Sequence, residues 1–319
     1  MLERLRLNKF LVVGRAGMDL YADPPGTQIE HALKFSAALG GSAANIAVAI
    51  ARQGGKSALL TAVSDDAVGR FTLKALRAYG VDTSYIGSIG GEVRNSLAVV
   101  ETRASNCQSV IYRNDAADFQ VTEADAQAID YTPFAAIIVT GTSLAREPSR
   151  SATFKAMDLA REAGLLLIID VDYRPYSWKS KSEARRVCLM AAKKCDVIVA
   201  NDEEFDVLSG SEKGLELAEQ LNQKANRIVV YKMGDQGCIV FAGPMRFHTP
   251  IFGVTALKPT GAGDGFMGGL LSGLVAGEPM PDAVRRGAAT AAIVVTRVGC
   301  APAMPDTAEV LSFMKQWQA

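Results

Sequence analysis

Runs of consecutive apolar residues alternate along most of the chain with stretches of helical periodicity. The runs stay apolar at successive positions, which is typical of strands that are buried on both faces. The clearest runs cover residues 10–13, 58–63, 135–139, 165–169, 197–199 and 228–231, with helices predicted between them, for example over 149–163 and 182–194. This alternation predicts an α/β fold in which helices cover both faces of a parallel sheet.

Two segments depart from the alternation and predict a small separate β structure. Residues 20–38 contain Pro24, Pro25 and Gly26 and show little helical periodicity. Residues 86–113 break the pattern as well, because runs at 96–100 and 109–112 flank a polar turn and are typical of a β-hairpin. Residues 238–241 are expected to form an edge strand. No repeat or linker-like stretch divides the sequence, so we expect one domain over residues 1–319 with a β appendage.

A glycine-rich loop precedes a buried helix near the C-terminal end of the sequence. Gly261, Gly263 and Gly265 surround Asp264, and apolar helical spacing follows. Free backbone N–H groups and the helix dipole make such a loop an anion site. Asp264 either caps the helix or acts as a general base beside a bound phosphate, and the motif by itself favours neither.

Two familiar phosphate motifs fit this loop poorly. A Walker loop requires a lysine and a Ser or Thr after the second glycine, and both are absent. Residues 263–268 match G-x-G-x-x-G formally, but a dinucleotide fingerprint turns directly out of a buried strand, whereas residues 258–260 intervene here. The alternative that the protein is a dehydrogenase therefore rests on a weak match.

Polar side chains recur just after predicted strand ends. In parallel sheets ligands bind outside the carboxyl ends of the strands, so residues distant in sequence are expected to converge there. A glycine pair before the helix at 46–51 is either a second close approach to a ligand or an ordinary tight turn. The candidate residues at this edge are Asp19, Arg174, Asn201, Glu204 and Lys232; Arg15 follows the same strand end as Asp19, and Gly40, Gly41 and Asn45 belong to the glycine pair and its helix.

These residue types suit phosphoryl transfer, which depends on positioning and charge neutralisation. The amides of Gly261, Ala262 and Gly263 would stabilise developing negative charge while Asp264 accepts the proton of a hydroxyl. Asn201 and Glu204 could hold a hydrated Mg²⁺, although Glu204 could equally be first-turn charge on a helix. Lys232 and Gly234 would approach the nucleotide, unless residues 233–234 form only a turn.

Composition narrows the class of protein. The chain has 319 residues, with 34 Lys and Arg against 34 Asp and Glu, so its formal net charge is zero. A zero net charge gives no electrostatic reason to expect nucleic acid or an anionic membrane as a partner. Five scattered cysteines and two histidines argue against a disulfide framework and a zinc site. The N-terminus lacks signal-peptide features and no apolar run approaches the ~20 residues of a membrane span, so a cytoplasmic protein is expected.

Together the motifs resemble those of the ribokinase-like (PfkB-type) carbohydrate kinases over essentially the whole chain. Residues 40–45 with Asp19 resemble the substrate signature, 201–204 the N-x-x-E magnesium motif, and 260–264 the signature whose Asp is the catalytic base. The resemblance implies a three-layer α/β/α sandwich with a mostly parallel sheet and a β lid from about 20–38 and 92–120. It also implies ATP and Mg²⁺ as cofactors, Mg²⁺ bound through water, a homodimer formed through the lid, and nucleotide contacts at Asn201, Glu204, Lys232, Gly234, Gly237 and Ala292.

Within that family, residues 14–20, 112–114, 141–145 and 170–179 resemble the 5-dehydro-2-deoxygluconokinases of inositol catabolism. Tyr112, Arg113 and Arg174 are similar to residues of 2-keto-3-deoxygluconate kinases as well. Both substrates are sugar acids, and guanidinium groups pair well with carboxylates. The resemblance therefore implies ATP-dependent phosphorylation of the 6-hydroxyl of a sugar acid. The expected substrate is 5-dehydro-2-deoxy-D-gluconate, and the alternative substrate is 2-keto-3-deoxygluconate. A sugar-acid sensor without turnover is the alternative from another class.

One position departs from the pattern of the family. Many of its members carry an Asp six residues before the catalytic Asp, in a loop that holds an activating potassium ion, and here that residue is Lys258. We expect that no monovalent cation is required, because an ammonium would repel it. The alternative is that Lys258 points to solvent.

Overall fold

A computed structural model describes residues 2–225 and 227–317 of the chain. Its strands, in chain order, are β1 (Lys9–Val13), β2 (Gly17–Asp23), β3 (Lys34–Gly40), β4 (Lys56–Ser64), β5 (Ile86–Ile89), β6 (Ser96–Val100), β7 (Ser109–Tyr112), β8 (Ala136–Thr140), β9 (Leu166–Asp170), β10 (Val197–Asn201), β11 (Ile228–Lys232), β12 (Cys238–Ala242) and β13 (Met245–Thr249). Its α-helices are α1 (Ser42–Arg52), α2 (Ala67–Ala78), α3 (Glu123–Gln127), α4 (Ser149–Glu162), α5 (Lys181–Ala192), α6 (Asp202–Ser209), α7 (Gly214–Ala225), α8 (Ala262–Val275), α9 (Met280–Val295) and α10 (Thr307–Gln316).

The larger sheet has nine strands in the order β13-β12-β11-β10-β9-β8-β1-β4-β5. All neighbours from β11 to β5 pair in parallel, and β12 and β13 add an antiparallel margin. Side chains alternate between two apolar clusters, with Leu11 and Val13 in one and Phe10 and Val12 in the other. This arrangement confirms the predicted α/β sandwich, because each cluster packs one helical layer onto one face of the sheet.

Strand register brings polar residues of neighbouring strands to the carboxyl edge of the larger sheet. Asp170 lies opposite Thr140 on one side and opposite Val199 on the other, and Asn201 lies opposite Lys232. The strands here begin in apolar runs and end in polar residues, so the register follows from burying the runs together. Residues from three separate parts of the sequence therefore meet at one edge.

A second, four-stranded sheet in the order β3-β2-β6-β7 stands apart from the larger one. The hairpin of β6 and β7 is antiparallel with Leu97 opposite Tyr112, as predicted from the two runs and their polar turn. β2 pairs with β3 in antiparallel and with β6 in parallel. The small sheet is thus assembled from the two segments that lack helical periodicity.

One strand prediction is corrected. Residues 238–241 do not form an edge strand, because β13 pairs with β12 on its outer side. Residues 86–89, which break the predicted alternation, form β5 and extend the larger sheet beside β4, outside the predicted lid. Both strands are short and carry mixed side chains at the margin of the sheet, where hydrophobic patterning is weakest. Among the described residues, no helix is long and apolar enough to cross a membrane.

Candidate active site

A cavity of about 210 Å³ lies between the small sheet and the carboxyl edge of the larger one. The small sheet contributes Ala98, Val100, Ser109 and Ile111 to its wall. The larger sheet and the loop before α8 contribute Thr142, Asp172, Arg174, Gly261 and Asp264. The small sheet also contributes Asp19 and Tyr21, so its side of the wall mixes apolar and polar groups while the other side is largely polar, as expected for a small polar ligand.

Asp264 lies in the first turn of α8 and faces this cavity. Its Oδ2 accepts a hydrogen bond of 2.9 Å from Asn45 Nδ2, and no side chain caps this helix. Burial, and then the negative charges of Asp172 and Asp170, raise the pKa of Asp264 to about 8. The contacts favour a proton acceptor over a helix cap.

Close packing of α1 against α8 explains how Asn45 reaches Asp264. A Cβ at Gly268 would lie only 2.5 Å from the Cβ of Ala49, so a glycine is needed where the two helices touch. The small residues of α1 are buried along almost the whole helix. The small-residue sequence thus joins the two glycine motifs at one place.

The glycine loop is shaped by backbone conformation. Gly261 is the N-cap of α8 with φ of 84°, in the left-handed region that glycine adopts at least cost. A Cβ on Gly263 would lie 3.2 Å from Lys232 Nζ, so the ammonium faces the loop directly. Burial lowers the pKa of Lys232, but the carboxylates of Asp170 and Glu204 outweigh it and leave the pKa raised. A permanent positive charge therefore stands over the anion site.

The predicted glycine pair makes room for a second buried group. A Cβ at Gly40 would lie 1.9 Å from Asp19 Oδ1, and a Cβ at Gly41 would lie 2.4 Å from the Arg15 carbonyl oxygen. Asp19 Oδ2 accepts a hydrogen bond of 3.1 Å from the Tyr21 hydroxyl, and Oδ1 lies 4.0 Å from Arg15 Nη2. The absence of a side chain at both glycines therefore lets Asp19 and the backbone of Arg15 pack directly against this segment.

Arg113 is buried at the back of the cavity and is held in place by a carboxylate. Its Nε donates to Asp118 Oδ2 at 2.9 Å, and its Nη2 donates to the same oxygen and to the Thr142 carbonyl. Its guanidinium lies 3.9 Å from the centre of the Phe119 ring. Within the described residues its buried Nη1 has no hydrogen-bond partner, so one charged donor is free toward a ligand.

Arg174 differs from Arg113 in both exposure and pairing. Its side chain is 52% exposed, and its Nη2 lies 2.9 Å from Asp172 Oδ1. Asp172 is buried with φ of 36°, an uncommon conformation for a non-glycine residue. Burial raises the pKa of Asp172, but the Arg174 guanidinium and the Ser42 hydroxyl outweigh burial and leave the pKa lowered. Asp172 and Arg174 therefore form an ionic pair. Arg174 is thus partly neutralised at the rim.

Tyr112 does not line this cavity, although a substrate contact was predicted for it. Ser109, Ile111 and Arg113 line the cavity, and alternation along β7 places Tyr112 on the opposite face, 59% exposed. Adjacent residues in a strand point to opposite sides of the sheet, so Tyr112 lies outside this cavity and its contact with the substrate stays a prediction. Ile111 takes the place in the cavity wall.

The sequence as a whole matches the pfkB family carbohydrate kinase model over residues 7–307. The chain belongs to that family. It is 37% identical over 319 residues to a 5-dehydro-2-deoxygluconokinase of Geobacillus kaustophilus, covering 96% of this chain and 93% of the relative. A PfkB protein of Polaromonas sp. JS666 has a TM-score of 0.82 at 28% identity, covering 95% and 99% of the two chains. A double-mutant fructokinase of Vibrio cholerae, solved with fructose, ADP and potassium ion bound, has a TM-score of 0.83 at 28% identity over 96% and 97%.

In this pfkB-family kinase, Asn201 and Glu204 form a helix cap. Asn201 Oδ1 accepts the Glu204 N–H at 2.7 Å, and Glu204 Oε2 accepts the Asn201 N–H at 2.8 Å. Glu204 Oε1 accepts the Tyr173 N–H at 2.9 Å. Burial, opposed by Lys232, raises the pKa of Glu204 to about 7. Both carboxylate oxygens of Glu204 accept backbone N–H groups, so this pair would hold a Mg²⁺ only through water. Across the described residues, no group of three or more His, Cys, Asp or Glu is arranged to hold a metal.

The remaining nucleotide candidates lie outside this cavity. Gly234 and Gly237 shape the turn between β11 and β12, where the Met233 N–H donates to the Gly237 carbonyl at 2.7 Å. A Cβ on Gly237 would lie 2.1 Å from the Thr249 carbonyl oxygen, so this glycine is required by the fold itself. Ala292 lies on α9, 7% exposed, in an apolar cluster with Phe252 and Val310. Their contact with a nucleotide stays a prediction.

Sequence reasoning missed several residues in or beside the cavity, among them Tyr21, Asp118 and Asp172. Asp118 and Tyr21 hold predicted residues in place, and Asp172 lines the wall itself. Asp172 follows a strand end, like the residues that were predicted, and that signal was sufficient to include it. Asp118 and Tyr21 carry no such signal, because their roles depend on contacts between distant segments.

Proposed function

We propose that this kinase transfers the γ-phosphoryl group of ATP to the 6-hydroxyl of a sugar acid, 5-dehydro-2-deoxy-D-gluconate, in inositol catabolism. The observation that carries the proposal is one cavity that holds both the Asp264 carboxylate and the free Nη1 of Arg113. The relatives with this substrate in their names, at 35–37% identity over nearly the whole chain, support it.

The chemistry follows from the groups around Asp264. The sugar hydroxyl oxygen attacks the γ-phosphorus, its proton passes to the Asp264 carboxylate, and the bond to the bridging oxygen breaks as ADP leaves. A pKa near 8 makes Asp264 a better proton acceptor than an exposed carboxylate. The amides of Gly261, Ala262 and Gly263, with the Lys232 ammonium above them, stabilise the negative charge on the transferred group.

Substrate orientation follows from the charges of the wall. The carboxylate of the sugar acid pairs with Arg113 Nη1, while Arg15 and Asp19 lie on the side of the small sheet and contact hydroxyl groups. A carboxylate held at Arg113 Nη1 keeps the acid end of the substrate away from Asp264, whose negative charge would repel it. The opposite end, with its terminal hydroxyl, is then next to the base.

ATP and Mg²⁺ are the proposed cofactors. Bound Mg²⁺ would neutralise the phosphate charge, and Asn201 and Glu204 would hold it through water. We propose further that the chain acts as a single kinase domain in which the small sheet, from about 20–38 and 92–120, is a lid. A 2-keto-3-deoxygluconate kinase is the second candidate, because Arg113 Nη1 would serve either carboxylate.

The test is ADP release measured by a coupled assay over a panel of substrates. The panel contains 5-dehydro-2-deoxygluconate, 2-keto-3-deoxygluconate, fructose and ribose, each at matched concentrations with Mg²⁺ and ATP. We expect the highest kcat/KM for the first and low values for the two neutral sugars. A neutral sugar that is used best would refute the role of Arg113, and absence of ADP release with any of them would favour a sensor.

We propose that two copies of the chain form a homodimer through the lid, because the lid has large apolar side chains that are exposed. Leu33 is 98% exposed, and Val110 and Tyr112 are 44% and 59% exposed. A surface of this kind is costly in water and suits a second copy of the chain. Sedimentation should give a dimer, and L33E combined with V110E should give a monomer. A monomeric unmodified protein at micromolar concentration would contradict this assembly.

A further inference from the structure

Lys258 is a fully buried lysine without a carboxylate partner. Its exposure is 0%, and it forms no salt bridge among the described residues. Its ammonium donates to the carbonyl oxygen of Thr260 at 2.5 Å and approaches that of Val294 at 3.4 Å. A charge removed from water in this way is costly unless it serves a defined interaction.

The two acceptors join the catalytic loop to the end of a helix. Thr260 immediately precedes Gly261, the N-cap of α8, and Val294 lies in the last turn of α9. Carbonyl groups at a helix C-terminus carry partial negative charge and favour a cation. The backbone N–H groups of Leu257 and Lys258 both donate to the Val295 carbonyl, which fastens the same segment.

We propose that the Lys258 ammonium is the resident cation of the catalytic loop and takes the place of an exchangeable monovalent ion. The carbonyl oxygens that would coordinate such an ion already accept hydrogen bonds from the ammonium. A second cation beside them would meet an ammonium a few ångströms away in a dry site, where repulsion is large. The potassium-bound fructokinase of Vibrio cholerae is similar to this chain, but the residues of this loop do not fit a bound potassium ion.

Lys258 is thereby a positioning residue. It acts through the Thr260 carbonyl on Gly261, whose left-handed conformation aims the loop amides and starts the helix that carries Asp264. Burial lowers the pKa of Lys258, and the negative charges of Cys300, Asp264 and Asp19 oppose this effect only in part. The inference deepens the proposed function and rests on it for its activity measurements only.

The first measurement uses the unmodified enzyme. Initial rates are recorded against KCl at constant ionic strength, with tetramethylammonium chloride as the balancing salt. We expect a flat dependence. Saturable activation by K⁺ would overturn the proposal, and this measurement does not depend on whether any variant folds.

The second measurement removes the ammonium and supplies cations from solution. K258A should keep its fold but lose at least 10-fold in kcat, with K⁺, NH₄⁺ or methylammonium restoring activity in a saturable manner and tetramethylammonium failing to do so. K74A, at an exposed position on α2, is the matched control and should not respond. A folded K258A enzyme that is fully active without added cation, or inactive with all of them, would overturn the proposal.

A third readout requires no substrate. The Tm of K258A should rise with K⁺ and NH₄⁺ relative to tetramethylammonium, whereas the Tm of the unmodified protein should not distinguish the salts. This result would hold even if the substrate were misassigned, so failure of the proposed function and failure of the cation proposal are separable. A K258A protein whose Tm ignores all three salts counts against a vacated cation site.

Discussion

Arg113 and Asp118 allow the recognition of the substrate carboxylate to be tested apart from folding. R113L alone leaves Asp118 as a buried carboxylate without its partner, which typically costs about 3–5 kcal/mol of stability. Exchanging both residues for leucine removes the pair together, and such replacements are often neutral. The double variant R113L/D118L is therefore the informative one.

The magnitude follows from the hydrogen bonds of the guanidinium. Nε and Nη2 are occupied by Asp118 and Thr142, which leaves Nη1 as the donor available to the substrate. One charged hydrogen bond contributes about 1.5–3 kcal/mol, so KM for the sugar acid should rise about 10- to 150-fold. KM for ATP should stay unchanged, because the nucleotide does not contact this residue in the proposed arrangement.

The assay is initial rate at saturating ATP against sugar-acid concentration, with urea unfolding to establish that each variant is folded. R146L is the matched control, since Arg146 lies 5.5 Å from the same Phe119 ring but pairs with Asp115 at the surface. A neutral amide analogue of the substrate should bind the double variant and the unmodified enzyme alike. A folded double variant with unchanged sugar-acid KM would refute the role of Arg113.

Four further outcomes are expected. D264N should lower kcat at least about 100-fold while ATP binding persists; a variant that unfolds but is fully active once refolded would restore the helix-cap alternative. The kcat/KM of the unmodified enzyme should rise with pH through about 8, because Asp264 must lose its proton to act as the base; a flat profile from pH 6 to 9 would contradict this. Because the pKa of Asp264 is raised in the folded state, its protonated carboxyl contributes stability that is fully present below the pKa of the unfolded chain and is lost as pH rises through about 8. The amide introduced in D264N does not titrate, so the Tm of D264N should increase relative to the Tm of the unmodified protein between pH 5 and 8. K232M should lower kcat about 10²- to 10³-fold through loss of the charge over Gly263, with sugar-acid KM unaffected, and an unaltered kcat would remove Lys232 from the site.

The strand ends were predictable because the physics there is local. Apolar runs must be buried, parallel strands align their carboxyl ends, and Asp170, Asn201 and Lys232 consequently share one edge. The glycine motifs were predictable for a similar reason, since Gly40 and Gly261 are needed where side chains or a left-handed turn leave no room for a Cβ.

What could not be predicted depends on contacts between distant segments. The free Nη1 of Arg113 follows from Asp118 taking the other nitrogens, and the partial neutralisation of Arg174 follows from the backbone conformation of Asp172. The position of Tyr112 outside the cavity could not be predicted, because a single residue of register decides which face of a strand a side chain occupies. The sequence suggested that Lys258 repels a cation. That its ammonium contacts two backbone carbonyl oxygens could be seen only in the folded loop.

The most direct test of the central claim is the identity of the phosphorylated product. The enzyme is incubated with 5-dehydro-2-deoxygluconate, ATP and Mg²⁺, and the product is examined by ³¹P NMR and mass spectrometry, with D264N as the matched blank. The account predicts one phosphate ester on the 6-hydroxyl, formed in equal amount with ADP and absent from the blank. A phosphate on another oxygen, ADP formed without an ester, or equal product from D264N would contradict it.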